Sequence, residues 1–195
     1  MGILVQPNAL LKSGIAKISG GAQQYGVPTR SLFTSQSTST LNINEDRYIP
    51  FFVDYPVTLN AWQLEVTTGP ASAANLRVGV YLADTNMQPT GAPLYDSGSV
   101  AVAQSFTGIK TASSLSIALN PGVYLAVINC DTAMTLRTIL TGTNVVAANL
   151  GVSAFVQRFA VSRSYAAFPN PGTAWTTISQ GTGGYQHFLS WQWTE

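Results

Sequence analysis

The sequence predicts an all-β protein, an antiparallel β-sandwich of the jelly-roll type that follows an extended N-terminal arm. Beyond residue 45, apolar residues recur at alternate positions in short runs, and Gly, Pro and Asn separate those runs at fairly regular intervals. This is the pattern of strands joined by turns. The connections are too short to contain crossover helices, so neighbouring strands are expected to pair antiparallel in two packed sheets.

The composition indicates one folded domain with an uncharged, hydroxyl-rich surface. With 195 residues, 46% of them hydrophobic, and a net charge of +1, the chain can bury a core and lacks the composition of a disordered protein. Charged residues make up 9% of the chain, against about 25% in ordinary globular proteins. The basic residues form no cluster, which argues against nucleic acid as a partner. No apolar run approaches the ~18 residues of a membrane span, so we expect no membrane association.

The first 44 residues differ from the rest and are predicted to form an arm that anchors a domain of residues 45–195 to another protein. Every acidic residue lies in the domain, whereas the charges of the arm are all positive. The polar run 34–40 lacks the apolar content to build a core of its own. Behind Asn8, a residue type that caps helices, apolar residues recur at helical spacing, which predicts a short docking helix over 8–19. The alternative is an extended strap that packs on its own domain. The candidate anchoring residues are Leu11, Ile15, Ile18 and Arg30.

Two runs show most clearly how the strands of the domain are predicted. In residues 76–82 the apolar side chains alternate, so one face of that strand is expected to meet the core. Residues 122–130 are apolar at both odd and even positions, apart from Asn129. This pattern predicts a central strand covered on both faces. Tight corners are expected at 88–91 and 120–122, where Pro presets φ and Gly allows positive φ. The predicted strands are residues 47–54, 57–67, 76–82, 99–103, 114–119, 122–130, 134–140, 152–161 and 184–194.

Three motifs between residues 47 and 126 give the chain a resemblance to a known group of proteins. They are the aromatic-x-Pro-Phe run 48–51, the Arg-x-Gly-x-Tyr run 77–81, and the Leu-x-Pro-Gly-x-Tyr-Leu run 119–125. Together they resemble a sandwich module of tailed-bacteriophage virion proteins, namely head decoration (cement), short tail-fibre and tail-tip proteins. The resemblance implies a structural virion protein, homotrimeric, made in the host cytoplasm and docked through its arm on the major capsid protein or on a tail or baseplate protein.

No arrangement of residues in the sequence points to catalysis, so we expect neither an enzyme nor a cofactor. The single histidine, His187, lies in an alternating apolar run and is interpreted as a packing residue, because a metal site needs more ligands than one. Cys130 ends the buried run and is expected to act as a small apolar group. Asp84 and Asn86 have the spacing that opens calcium loops, but the rest of that loop is missing. An Asx turn ahead of Pro89 is the preferred interpretation.

The alternative function is carbohydrate binding to a glycan of the host surface. Residues 164–194 contain no charged side chain and carry aromatic residues around the loop 169–172. Exposed aromatic rings can stack on the apolar face of a sugar, and the same residues could equally pack in the core or plug the loop. The candidate glycan contacts are Tyr165, Trp175 and Tyr185, with Phe168 beside them.

Overall fold

The computed structural model describes residues 24–26, 33–53, 55–86, 88–141, 159–173, 184–187 and 189–194. These residues form strands, turns and loops, and none of them is helical. No helix of the described part is long and apolar enough to cross a membrane. The strands are β1 (Gln24–Gly26), β2 (Phe33–Leu41), β3 (Glu45–Val53), β4 (Val57–Thr68), β5 (Ala74–Ala83), β6 (Pro89–Asp96), β7 (Val100–Val102), β8 (Gly108–Ala112), β9 (Ile117–Leu119), β10 (Gly122–Cys130), β11 (Met134–Thr141), β12 (Phe159–Ser162), β13 (Gly184–His187) and β14 (Leu189–Thr194).

The strands form two sheets that pack together as a β-sandwich. One sheet has eight strands in the order β1-β14-β4-β11-β13, with β2 paired to β11 and with β8 and β9 paired to β4. The other has six strands in the order β12-β3-β10-β5-β6, with β7 paired to β5. The strand pairs are antiparallel, as in β10 with β3 and β5. The predicted all-β fold and antiparallel sandwich are therefore confirmed.

The main core lies between the sheets and is dominated by aromatic and branched side chains. Trp62 of β4 and Trp191 of β14 are fully buried there. The Phe51 ring stacks on Tyr124 with centroids 5.6 Å apart and meets the Trp191 ring at 6.1 Å. The indole N–H of Trp62 donates to the hydroxyl of Tyr95 at 3.1 Å, so this large ring is buried with its polar atom satisfied.

The prediction that residues 122–130 form a central strand covered on both faces is confirmed. β10 lies between β3 and β5, and Ala126 is opposite both Ile49 and Val80. Tyr124, Ala126 and Ile128 join the main core, whereas Leu125 and Val127 belong to a second buried cluster. Because side chains of a strand alternate between faces, the second cluster lies on the face of the six-stranded sheet that points away from the main core. We call this face the outer face.

Two strands fall within the predicted arm. β1 pairs with β14, and β2 pairs with β11 from Leu41 opposite Met134 to Phe33 opposite Thr141. The polar run 34–40 thus forms a strand, because the hydrogen bonds of strand pairing come from the backbone and do not need apolar side chains. The boundary at residue 45 lies between two strands of the sandwich. The predicted helix over 8–19 and the anchoring candidates Leu11, Ile15, Ile18 and Arg30 lie outside the described residues.

Several predicted corners and strand bounds need correction. The predicted strand 184–194 is two strands, β13 and β14, which pair with β11 and β4. Of the predicted strand 114–119, only 117–119 form a strand, β9. Residues 89–96 form β6 rather than a corner, and the turn lies earlier, where the Asp84 N–H donates to the Gln88 carbonyl at 2.9 Å. The carboxylate of Asp84 accepts the N–H of Asn86 at 2.8 Å, which is the expected Asx turn. The corner at 120–122 is confirmed between β9 and β10. Of the predicted strand 152–161, residues 159–161 lie in β12 and the remainder lies outside the described residues.

Candidate functional site

The outer face of the six-stranded sheet is apolar at its centre. Tyr48 of β3, Tyr81 of β5, and Leu125 and Val127 of β10 are all buried there without touching the main core cluster. An apolar patch of this kind must be covered or it exposes a large hydrophobic surface to water. Within the described residues, Phe168 covers part of this cluster and Val161 of β12 packs against it. Phe168 lies in the segment that follows β12, residues 163–173, which we call the cap.

Phe168 of the cap packs on this patch. Its side chain is buried, and its ring meets the Tyr81 ring edge-on with centroids 6.3 Å apart. The ring rests directly on the backbone of β5, where a Cβ atom at Gly79 would lie 2.6 Å from two ring carbons. Only glycine leaves that space open, so the middle residue of the Arg-x-Gly-x-Tyr motif has a packing role.

Two tyrosine hydroxyls hold the backbone of the cap. The Tyr81 hydroxyl donates to the carbonyl of Pro169 at 2.7 Å, and the Tyr48 hydroxyl donates to the carbonyl of Thr173 at 3.3 Å. Burial raises the pKa of both phenols well above the ordinary value of 10.0. Both tyrosines therefore bury their rings in the outer-face cluster while using their polar ends to position the cap.

A buried ion pair joins the first residue of the cap to β3. The guanidinium of Arg163 donates to both carboxylate oxygens of Asp46, a residue with no exposed surface. The amide of Asn129 on β10 donates to the same carboxylate and to the Arg163 carbonyl, the latter at 3.2 Å. Burial raises the pKa of Asp46, against the lowering effect of the bonds from Arg163 and Asn129. The effect of desolvation on the pKa of Asp46 is thus larger than the opposing effect of its hydrogen-bond partners.

A second ion pair lies on the other side of Phe168. Arg77 of β5 donates to both oxygens of Asp96 at 2.7 Å. The Asp96 carboxylate also accepts the backbone N–H of Phe168 at 3.1 Å. The guanidinium carbons of Arg77 and Arg163 lie 6.0 and 5.2 Å from the centroid of the Phe168 ring. The ring is therefore flanked by two cations, each within cation–π range.

The candidate glycan contacts are only partly within the described residues. Tyr165 lies in the cap, half-buried, with its hydroxyl 3.0 Å from the Ser99 hydroxyl and the Arg77 guanidinium 5.7 Å from its ring centroid. Tyr185 is placed by its backbone in β13, opposite Leu140. Trp175 lies outside the described residues. The structure therefore brings Tyr165 and Phe168 into one cap and gives both of them framework contacts.

The other chemically interesting residues also have structural surroundings. Cys130 is buried, and its thiol contacts the carbonyls of Leu41 and Asn42 at 3.6 Å. Burial raises its pKa to about 12, so the thiol is protonated and unreactive at neutral pH. The backbone of His187 lies opposite Thr138 in β13. Among the described residues there is no group of three or more His, Cys, Asp or Glu side chains that could hold a metal ion.

Sequence reasoning did not find the charged residues that build this region. Asp46 and Arg163 are 117 residues apart in the chain, and no local pattern links them. Arg77 belongs to a motif of the resemblance, but its partner Asp96 was not singled out. In a chain with 9% charged residues, an arginine or aspartate inside an apolar alternating run is the signal that could have drawn attention to them.

The outer side of the eight-stranded sheet has no such apolar centre in its described part. Arg137 of β11 and Glu65 of β4 form a two-bond ion pair there, at 3.0 and 2.9 Å. Their side chains are 30% and 39% exposed. Thr38 and Thr40 of β2, opposite Arg137 and Thr135, are exposed to solvent.

No protein-family model, curated protein or solved structure matches this chain.

Proposed function

We propose that this chain is a structural, non-catalytic protein of a tailed-phage virion, exposed on the particle as a capsid decoration or a short fibre. The observation that carries the proposal is the placement of the three motifs. The runs 48–51, 77–81 and 119–125 lie on β3, on β5 and at the start of β10, three strands that are direct neighbours. The motifs thus describe one continuous structural unit, as expected if the resemblance reflects a shared module.

The roles of the motif side chains support a framework function. Gly79 makes room for Phe168, Tyr48 and Tyr81 hold the cap, and the Tyr124 hydroxyl donates to the Asn120 carbonyl at 2.8 Å across the corner before β10. Asp46 and Asp96 are each engaged by an arginine. In the described part of the chain these groups serve rigidity, which suits a protein that must stay folded on a particle surface.

Quantitative mass spectrometry of purified virions tests the proposal, with the major capsid protein as internal standard. We expect the chain in fixed stoichiometry with that standard. A copy number comparable with that of the capsid protein identifies a head decoration, and a small fraction of it identifies a tail part. Presence in the infected-cell lysate together with absence from purified particles would contradict the virion assignment.

Docking through the N-terminal residues is tested by two deletions rather than one. Removal of residues 1–23 leaves both β1 and β2 in place, so we expect an unchanged thermal melt and loss of incorporation into particles. Removal of residues 1–44 also deletes β2, which pairs with β11 along its length, and we expect a lowered melting temperature. Normal incorporation of the shorter deletion would show that the anchor lies elsewhere.

Carbohydrate binding is the second candidate, favoured by the uncharged stretch 164–194 with its aromatic side chains. It predicts that Trp175→Ala abolishes binding on a glycan array without changing the thermal melt. Tyr165→Phe is the matched control, because it removes the hydroxyl contact with Ser99 and keeps the ring. A lowered melt with Trp175→Ala would instead assign that side chain to packing.

A further inference from the structure

We propose that the cap, residues 163–173, is a latch that opens as a unit from the outer face while the sandwich stays folded. Opening removes Phe168 from the buried cluster that it forms with Tyr48, Tyr81, Leu125 and Val127. This inference stands on the contacts of the cap and is independent of the proposed virion role.

The cap is attached by separate polar contacts and by one buried aromatic side chain, Phe168. Its backbone is held by the N–H of Arg163 on the Asn44 carbonyl at 2.9 Å and by the N–H of Gly172 on the Gly91 carbonyl at 3.2 Å. The side-chain contacts are the two tyrosine hydroxyls, the ion pair Asp46–Arg163 and the Asp96 carboxylate, which accepts the backbone N–H of Phe168. Phe168 is the only described cap residue in the outer-face cluster of buried side chains. Apolar burial by the cap is therefore small beside that of the main core.

The Asp46–Arg163 pair fixes where the cap lies without holding it strongly. Both charges are removed from water when the cap closes, and desolvation offsets most of their attraction. The raised pKa of Asp46, caused first by burial, agrees with this balance. When the cap opens, water hydrates both charges again. Opening the cap therefore costs less free energy than separating the two sheets, because separation exposes the whole aromatic core.

Amide hydrogen exchange of the full chain tests the latch. We compare the amides of Phe168 and Gly172 in the cap with those of Ala126 and Ile128 in β10. Sub-global opening predicts that the cap amides exchange at least about tenfold faster than the β10 amides, and that their rates change little with low denaturant concentrations. Equal protection of cap and β10 amides at every denaturant concentration would overturn the proposal.

Two variants and one control make the test specific. Arg163→Met leaves Asp46 buried without its charged partner, so we expect the cap amides to exchange about tenfold faster or more, with the β10 amides unchanged. The double variant Asp46→Leu with Arg163→Met removes both charges, and we expect cap exchange to return to the wild-type rate or below. Arg137→Met, the same substitution in the exposed pair with Glu65, is expected to alter neither set.

Two outcomes of the variants would also overturn the latch. The first is an equal rise in exchange of cap and β10 amides in Arg163→Met, which would show that cap and sandwich open together. The second is cap exchange in the double variant as fast as in Arg163→Met, which would show that the unpaired carboxylate is not what opens the cap. If Arg163→Met does not fold, the wild-type comparison and the double variant still decide the matter.

Discussion

The two faces of β10 are buried to the same degree by different means. Towards the main core, Tyr124, Ala126 and Ile128 meet side chains of the other sheet, with Trp62 and Trp191 at the centre. On the outer face, Leu125 and Val127 form a buried cluster with Tyr48, Tyr81 and Phe168, and Phe168 belongs to a loop that hydrogen bonds and one ion pair position. Apolar burial stabilises in proportion to area and without strict direction. The polar contacts of the cap depend on geometry, so they specify a position more than they add stability.

The largest effect should come from the main core. Trp62→Ala removes a fully buried indole and leaves the Tyr95 hydroxyl without its donor, so we expect the free energy of unfolding to fall by about 3–5 kcal/mol. Chemical denaturation followed by circular dichroism measures the loss. A decrease below about 1 kcal/mol would mean that the sheets do not depend on this residue for their packing.

Alkaline pH should act through the outer face. The raised pKa values of Tyr48 and Tyr81 mean that the folded state keeps both protons at pH values where the unfolded state has lost them. The stabilisation that the two protonated phenols contribute is thus fully present below pH 10 and is lost above it, by up to about 1.4 kcal/mol per pH unit for each tyrosine. Denaturation at stepped pH, with phenolate absorbance recorded in parallel, measures this slope.

The matched control for that slope is the pair of variants Tyr48→Phe and Tyr81→Phe. Each removes one titrating group and one hydrogen bond to the cap, so we expect a shallower slope above pH 10 and a loss of about 1 kcal/mol below it. An unchanged slope in both variants would assign the alkaline sensitivity to other groups.

The contact between Gly79 and the Phe168 ring can be tested by a double-mutant cycle. Gly79→Ala places a methyl group 2.6 Å from the Phe168 ring, and overpacking of this kind typically costs about 1–3 kcal/mol. In the background of Phe168→Ala only the contact of the new methyl group with the Tyr95 carbonyl oxygen, at 3.0 Å, stays tight. The change should therefore cost less there, and the coupling energy should account for most of the single-variant loss. Additive losses would show that Gly79 is needed for β5 itself and not for the cap.

The smallest effect should come from the exposed pair on the other sheet. The hydrogen bond from Arg137 is the main cause that lowers the pKa of Glu65, but both side chains remain in contact with solvent. We expect Arg137→Ala to lower stability less than any change described above, and less still at high salt. A loss as large as that of Gly79→Ala would contradict the distinction between the capped face and the open face.

Two of the strands that sequence patterning missed, β2 and β6, share a physical cause. The alternation of apolar residues that predicts a strand arises only where one face meets a core. β2 carries the polar run 34–40 and pairs with β11 through its backbone, and β6 begins at Pro89, in the segment whose Pro and Gly suggested a corner. Strands of this kind leave no periodic signal, so pairing with a neighbour is what defines them.

By itself, the sequence determined the all-β fold, the strands with clear alternation, the corner at 120–122 and the burial of residues 122–130 on both faces. These are local properties, because the alternation of side chains along a strand reports which positions are covered. Only the tertiary structure decided what covers them. Asp46 and Arg163 meet across 117 residues of chain, and Phe168 lies on Gly79 because β12 adds to the edge of the sheet at β3 and directs the cap across it. Periodicity records that a face is buried and carries no information about its partner.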